Sequence, residues 1–196
     1  MILAATVDAE SINPADDLIE RFRRGDMDAL DVILPQYRVR LYRFLLRMAQ
    51  EPAVAEDLFQ QTWVRVIEKI SSYNARYRFD SWLFAIARNL AIDHLRRKRG
   101  VSMDARDDWG DTPAERIAVS GPDPLEEVLD LERGSILAAA LAELPAIHRE
   151  VLTLRFEEEM KLEQIAEVAG VPLSTVKSRL HRALESLRIR VAAQLL

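Results

Sequence analysis

The stretch from Ser174 to Arg182 carries the side chains best suited to chemistry in this sequence, and that chemistry is recognition of nucleic acid. Lysine and arginine bind phosphate oxygens and the acceptor edge of guanine, and hydroxyl and imidazole groups contribute further hydrogen bonds. The candidate contacts are Arg155, Ser174, Thr175, Lys177, Ser178, Arg179, His181 and Arg182. An ordinary helical hairpin with a solvated outer face is the alternative interpretation of the same residues.

Two short helices and a tight turn are expected to position these side chains. Apolar residues recur at helical spacing from Leu162 to Ala169. Gly170 tolerates the positive φ at which a helix ends, and Pro172 suits the first turn of the next helix. The apolar face of that second helix consists of Val176, Leu180, Ala183, Leu184 and Leu187. With the basic residues off this face, the pattern predicts a helix-turn-helix whose second helix lies in the major groove.

Charge segregation favours the nucleic-acid interpretation of this hairpin. Residues 135–170 contain three Lys/Arg and seven Asp/Glu, whereas residues 171–196 contain five Lys/Arg and one Glu. Positive charge is therefore concentrated on the second helix, as expected for a surface that binds phosphates.

The same residues carry a resemblance to a known family. LPAIHREVLTLRF followed by LEQIAEVAGVPLSTVKSRLHRALESLR resembles the promoter-reading domain of the extracytoplasmic-function (ECF) sigma factors of bacterial RNA polymerase. The resemblance implies that this part reads the −35 promoter element as duplex DNA. A related run occurs in the output domains of some response regulators, so this part alone does not settle the function. The sequence departs from the family at Glu159 and Met160, where relatives usually have a glycine, and we expect the turn to persist there.

Composition limits the remaining possibilities. The chain has 196 residues, no cysteine and three scattered histidines, which excludes disulfides and cysteine-bound zinc and indicates that there is no metal or cofactor site. The N-terminus lacks the basic and apolar segments of a secretory signal. No apolar run approaches the roughly 20 residues that span a bilayer. We therefore expect a cytoplasmic protein without membrane insertion.

The net charge of −5 conceals an uneven distribution that divides the chain. Residues 14–100 contain 16 basic and 12 acidic side chains, residues 101–134 contain 3 and 10, and residues 135–196 contain 8 of each. High charge and low hydrophobicity predict weak order in the middle segment. The sequence predicts an all-α protein with a tail (1–13), a helical domain (14–100), an acidic flexible linker (101–134) and a second small helical domain (135–196).

Four helices are expected in the first domain. The first covers Asp16–Arg24 and is broken by Gly25 and Asp26, and the second covers Met27–Gln50, with a kink or a boundary at Pro35. The third follows Pro52 and carries a broad apolar stripe that includes Leu58 and Ile67. The fourth is capped by Asp80 or Ser81 and closes on four consecutive basic residues.

A loop and one helix face are candidates for binding separated DNA strands. The loop at residues 71–80 places Asn74 and Arg76 among aromatic residues, a pattern suited to stacking and hydrogen bonding with unpaired bases; Phe79 is expected in the core. The fourth helix carries a polar stripe of Asn89, Asp93, Arg96 and Arg97. Asp93 is expected either to pair with Arg97 or to read a base.

The third and fourth helices also resemble segments of the sigma family. EDLFQQTWVRV resembles the segment that binds the clamp helices of RNA polymerase, which implies a docking role for Asp57, Gln60 and Gln61, with Leu58 shared between core and contact. FDSWLFAIARNLAIDHLRRKR resembles the segment that opens and reads the −10 element, which implies that role for Asn74, Arg76 and the polar stripe.

Both resemblances occur in the family's order, and together they cover the chain from about residue 18 to residue 190. They imply a specificity subunit whose partners are core RNA polymerase (clamp helices and flap) and promoter DNA, and they leave an anti-sigma factor open. An enzyme is not expected, because there is no phosphate-cradling glycine loop or nucleophile–base pair, and residues 157–159 are interpreted as a solvated face. Two alternatives remain: an autonomous helix-turn-helix regulator, and an interaction protein that sequesters a regulator, which would explain neither basic face.

Overall fold

The computed structural model describes residues 14–98 and 134–194, and all regular structure within these ranges is helical. They form an N-terminal and a C-terminal half, in agreement with the predicted all-α class. The predicted tail and nearly all of the predicted linker lie outside the described residues.

The N-terminal half contains four helices, α1 (Pro14–Arg23), α2 (Asp28–Ala49), α3 (Pro52–Lys69) and α4 (Phe79–Lys98), with a 3₁₀ turn at Ile70–Ser72. Gly25 has a φ of 95° and separates α1 from α2. An ion pair of 2.7 Å between Arg21 Nη2 and Asp26 Oδ2 spans the same turn. Pro52 lies in the first turn of α3, where its missing N–H costs no helical hydrogen bond.

Two details of these helices differ from the sequence expectation. Helix α2 continues through Pro35, so a boundary at that residue was wrong. Helix α4 begins at Phe79, so Asp80 and Ser81 lie inside its first turn and do not cap it. Instead, Asp80 Oδ1 accepts a 2.6 Å hydrogen bond from the Tyr37 hydroxyl. Burial, followed by this hydrogen bond and the charge of Asp80, raises the pKa of Tyr37.

Aromatic side chains form much of the core of the N-terminal half. Phe44 of α2 and Phe84 of α4 meet edge to face, with ring centroids 5.3 Å apart. Tyr73 and Trp82 pack against Phe79, which is buried as expected. Leu41, Phe44, Leu45 and Met48 of α2 are all buried in this core.

The C-terminal half contains α5 (Gly134–Ala142), α6 (Ala146–Leu152), a π-helical turn (Thr153–Glu157), α7 (Leu162–Ala169) and α8 (Leu173–Gln194). Pro145 immediately precedes α6 and separates it from α5. Pro172 stands just before α8, where its carbonyl accepts the Val176 N–H, and is therefore not in the first turn. After the π-helical turn, Glu159 takes a left-handed conformation with a φ of 54°.

The two halves contact each other directly. Helix α7 packs against α4, and α6 and the π-helical turn pack against α2. Within residues 14–98 and 134–194, no helix is both long and apolar enough to cross a membrane.

Candidate nucleic-acid interface

Helices α7 and α8 form the predicted helix-turn-helix. Gly170 ends α7 with a φ of 66°, and its N–H reaches the carbonyls of Ala166 and Glu167. At the other end of α7, the Lys161 backbone N–H donates to Gln164 Oε1 over 2.8 Å. The buried face of α8 includes Val176, Ala183 and Leu187, which fixes how the helix is rotated in the fold.

The rotation of α8 exposes only some of the candidate −35 contacts. Ser174, Lys177 and His181 are exposed, and Thr175, Ser178 and Arg182 are half-buried. The Ser178 hydroxyl donates to the Thr175 carbonyl over 2.9 Å, so it is engaged within its own helix. All six side chains are at least partly accessible on the surface of α8.

Arg155 and Arg179 are held within the protein. Arg155 lies in the π-helical turn, and its Nη1 donates to the Met160 carbonyl over 3.2 Å. Arg179 is only 8% exposed, although the sequence pattern placed it off the apolar face. The charge of Arg179 acts on Glu150 of α6, whose pKa is raised by burial and lowered in part by Arg88 and then by Arg179.

His148 lies near the cations of the reading helix. Burial lowers its pKa, and the positive charges of Arg182, Arg179 and Arg190 lower it further. Burial and these arginines therefore both favour the neutral form of His148. It was not singled out from the sequence as part of this site, because no motif residue indicated that α6 supports α8.

The candidate −10 contacts lie on the surface of the N-terminal half. Asn74 and Arg76 are exposed in the loop before α4, where Asn74 Oδ1 accepts the Arg76 backbone N–H at 3.0 Å. Tyr77 is exposed in the same loop, whereas Tyr73 is buried in the core. At the surface this loop presents the ring of Tyr77 together with the polar side chains of Asn74, Arg76 and Arg78.

The polar stripe of α4 is also available at the surface. Asn89, Asp93 and Arg97 are exposed, and Arg96 is half-buried. Asn89 Oδ1 accepts a 3.3 Å hydrogen bond from Arg88 Nη1. Among the described residues Asp93 forms no ion pair with Arg97, so the expected i, i+4 pair is absent.

Helix α3 presents the candidate docking face. Asp57, Gln60 and Gln61 are exposed, while Leu58 is buried in the core and supports the face from below. Val64, one turn beyond Gln60 and Gln61, is also exposed, and so is Ile67, contrary to the predicted apolar stripe. The face is therefore a mixture of polar and aliphatic groups, a composition typical of protein interfaces.

In the acidic run Glu157–Glu159, which the sequence indicated as a solvated face, only Glu159 is exposed. Glu158 Oε2 accepts from Arg40 Nε over 2.8 Å, and the Glu158 side chain is only 2% exposed. Glu157 Oε1 accepts from Arg47 Nε over 3.0 Å. The signal that could have predicted these pairs was the excess of acids in residues 135–170 opposite an excess of bases in residues 14–100.

The described residues provide no arrangement that would hold a metal ion. No group of three or more His, Asp or Glu side chains is positioned as ligands within residues 14–98 and 134–194. A cleft of about 410 Å³ lies between the halves, lined in part by Arg40, Arg78, Asp80 and Glu158. Its charged groups pair with one another, since Arg40 contacts both Asp80 and Glu158 and Arg78 contacts Asp80.

Comparison with known proteins gives two matches along the chain. Residues 34–101 match the family model "Sigma-70 region 2", and residues 140–188 match "Sigma-70, region 4". The chain is 32% identical to the ECF RNA polymerase sigma factor SigW of Bacillus subtilis strain 168 over 173 residues, which cover 87% of this chain and 92% of SigW. It is 35% identical to the RNA polymerase sigma factor CarQ of Myxococcus xanthus over 170 residues, covering 87% and 93%.

A solved structure shows the same architecture. The sigma factor RpoE of Bartonella quintana, in complex with the anti-sigma factor NepR, superposes with a TM-score of 0.62 at 26% sequence identity. The superposition covers 85% of this chain and 98% of RpoE.

Proposed function

The chain belongs to the extracytoplasmic-function family of RNA polymerase sigma factors, and from that membership we propose how its surfaces direct promoter-specific transcription initiation. The observation that carries the proposal is the presence of both sigma-70 regions in one chain and in the family's order. A protein that only bound duplex DNA would not require the first region. The function is that of a specificity subunit of RNA polymerase and involves no catalysis.

Each surface has a separate task in this proposal. The exposed face of α3, with Asp57, Gln60 and Gln61 over the buried Leu58, docks on the clamp helices of core polymerase. Helix α8 reads the −35 element as duplex, with Lys177 and Arg182 supplying phosphate or base-edge contacts in the major groove. The C-terminal half also contacts the polymerase flap. Because core polymerase is cytoplasmic, the protein acts in the cytoplasm.

The loop before α4 and the polar stripe of α4 capture the −10 element as a separated strand. An unstacked base would be held near Asn74, Arg76 and Asn89, with Asp93 and Arg97 at the edge of the contact. Extruding a base costs a few kcal/mol of unstacking. Polymerase binding and the basic end of α4 must offset this cost.

An anti-sigma factor is a further proposed partner, on the basis of the relationship to RpoE of Bartonella quintana. Such a factor would keep the protein from polymerase until a signal released it.

Transcription in vitro tests the proposed function. Purified core polymerase and this protein, mixed with a promoter library, should yield transcripts that core polymerase alone does not make. An autonomous helix-turn-helix regulator would instead bind palindromic duplex without polymerase. Failure to co-purify with core polymerase and failure to direct any transcript would together refute the proposal.

A further inference from the structure

Helix α2 has a second apolar face, which points away from the core. Val32, Pro35, Val39, Tyr42 and Leu46 follow one another at alternating spacings of three and four residues, which places them in one line along the helix. Val32 and Val39 are 48% and 63% exposed, Pro35 is also exposed, and Tyr42 and Leu46 are half-buried. We call this line of five residues the α2 stripe.

The exposed members of the α2 stripe stabilise neither the helix nor the core. Valine is a poorer helix former than alanine, glutamate or lysine, and proline inside a helix removes a hydrogen bond. Pro35 nevertheless lies within α2, with Val32 and Val39 about one turn to either side of it. Single exposed aliphatic residues are common on protein surfaces, but a continuous line of them is typical of an interaction surface.

Charges of opposite sign are segregated along the α2 stripe. Asp28 and Asp31 flank its N-terminal end, Arg38 and Arg43 flank its C-terminal half, and all four side chains are exposed. None of the four forms an ion pair with another residue of the described ranges 14–98 and 134–194, whereas other arginines of α2 do. The stripe therefore has an acidic end and a basic end, and neither is paired within the described part of the chain.

Two copies of the α2 stripe fit each other when the helices pack antiparallel. Two-fold symmetry requires that, if residue i of one copy contacts residue j of the other, residue j also contacts residue i. With the axis beside Pro35, Val32 of each copy lies opposite Val39 of the other. The alternating spacing supplies the side chains that interdigitate between paired helices. Such a pair would bury aliphatic groups that a single chain leaves in water.

The same register brings the acidic end of each copy to the basic end of the other. Asp28 lies opposite Arg43 of the second copy. Asp31 and Arg38 lie on one flank of the stripe, and across the pair they are offset by only about 3 Å along the axis, since each residue rises about 1.5 Å. Ion pairs therefore flank the aliphatic contact at both ends. A parallel pair would instead bring like charges together, which disfavours that arrangement.

We propose that the α2 stripe is a homodimer interface, formed by a second copy of this chain packed antiparallel along α2. The charges favour a second copy over a different protein, because a partner surface of one sign would leave half of them unpaired. The surface contains none of the candidate polymerase or DNA contacts, so the proposal goes beyond the proposed function. One pair of helices makes a small contact, and we expect a transient dimer with a Kd on the order of 10 µM.

Sedimentation velocity of the full chain tests the dimer, over concentrations from about tenfold below to about tenfold above that Kd. The wild type should pass from monomer to dimer over this range. The test variant is Val32→Gln/Val39→Gln, which removes the aliphatic groups and substitutes a better helix former. Its control, Val64→Gln/Ile67→Gln, makes the same kind of change at two exposed positions of α3.

We expect the test variant to dimerise at least about tenfold more weakly than the wild type, since residues at the centre of an interface dominate its affinity. The control should dimerise as the wild type does. A wild-type chain that stays monomeric throughout would leave the stripe to a different protein and would overturn the proposal. Loss of the dimer in the control alone would place the interface on α3 and would also overturn it.

Charge reversals test the antiparallel register. Asp28→Arg/Asp31→Arg makes the surface basic and Arg38→Asp/Arg43→Asp makes it acidic, so each variant alone should remain monomeric through repulsion. An equimolar mixture of the two should form heterodimers. One chain that carries all four changes should recover the homodimer, because its two ends have exchanged polarity.

Circular dichroism of each charge variant checks that its helical content is retained, as expected for substitutions at exposed positions. If the mixture and the fourfold variant both stay monomeric while folded, the register is wrong and the proposal with it. If a charge variant does not fold, the comparison between the two glutamine variants still decides the interface. None of these measurements includes polymerase or DNA, so failure of the dimer and failure of the proposed function are separate results.

Discussion

Glu159 occupies a backbone conformation that normally favours glycine. Its φ of 54° lies in the left-handed region, and its side chain is exposed. A non-glycine residue pays about 1–2 kcal/mol for this conformation. The sequence indicated that relatives have a glycine near this turn, and in the structure Glu159 takes a conformation that glycine adopts without this cost.

Glu159→Gly should therefore stabilise the protein by about 0.5–1 kcal/mol, after allowance for the greater freedom of glycine in the unfolded chain. Urea denaturation of the intact chain would measure the change. Gly170→Ala is the reciprocal control: a Cβ there meets no atom within 4 Å, yet φ is 66°. We expect Gly170→Ala to destabilise the protein by about 1 kcal/mol, solely because alanine is strained at this positive φ. A destabilising effect of Glu159→Gly would show that the side chain matters more than the strain.

Replacing Arg179 and replacing Lys177 should have different effects on the free energy of unfolding, although the two residues are only two positions apart in α8. Arg179 is buried near Glu150, whereas Lys177 is exposed. Arg179→Ala should lower the free energy of unfolding by about 1–3 kcal/mol, because the buried Glu150 loses a compensating charge. Lys177→Ala should change that free energy by less than about 0.5 kcal/mol.

Binding to DNA should show a complementary difference. If Lys177 contacts a phosphate, its alanine variant should weaken binding to all duplexes alike and reduce the salt slope by about one. Denaturation midpoints and salt titrations of both variants provide the measurement. Equal stability of the two variants would show that Arg179 contributes little to the fold.

At the scale of single elements, helix α3 presents a docking face that mixes polar and aliphatic side chains. Asp57→Ala/Gln60→Ala/Gln61→Ala should weaken binding to core polymerase by at least about tenfold, since the residues that dominate an interface each contribute more than about 1 kcal/mol. Co-purification and surface plasmon resonance would measure the loss. Glu167→Ala removes one exposed carboxylate from the other half and is the control for charge. Unchanged binding by the triple variant would refute the docking assignment.

The aliphatic part of the same face could not be predicted from the sequence. Leu58 and Ile67 both belong to the apolar stripe of α3, yet Leu58 is buried and Ile67 is 41% exposed. A helical repeat identifies which residues share a face but not how wide a surface the neighbouring helices cover. Helix ends were predicted correctly where a glycine or a proline determines the backbone conformation, as at Gly25, Pro52 and Gly170.

The π-helical turn could not be predicted from the sequence, for a related reason. Residues 153–157 are wound more widely than an α-helix, and the Glu158 N–H donates to the Thr153 carbonyl at 3.1 Å. A pattern based on 3.6 residues per turn assigns the following acids to the outside. The wider turn brings Glu157 and Glu158 to α2, and π-helical turns are frequent at functional positions.

At the scale of the whole molecule, the arrangement of the two halves depends on contacts that sequence motifs do not encode. Arg40 and Glu158 are 118 positions apart, and Arg88 and Glu150 are 62 apart. The motifs identified each half separately, because each follows local spacing and composition. The contact between the halves combines a shared apolar core with complementary charges, and only the asymmetry in acids and bases along the sequence indicated it.

Asn89 is exposed beside Arg88 on α4, so the step that most distinguishes this protein from a repressor can be tested at one side chain. Asn89→Ala should leave polymerase binding and −35 duplex binding intact but impair promoter opening, because the proposed contact to the trapped base is lost. A premelted −10 bubble should rescue the variant only in part, since it spares the cost of opening without restoring the contact. Gln36→Ala, at an exposed amide on α2, is the control. Permanganate reactivity of −10 thymines in the complete polymerase–promoter complex is the measurement. Wild-type reactivity of the Asn89 variant would mean that Asn89 is only a surface residue of α4 and that the base is captured elsewhere.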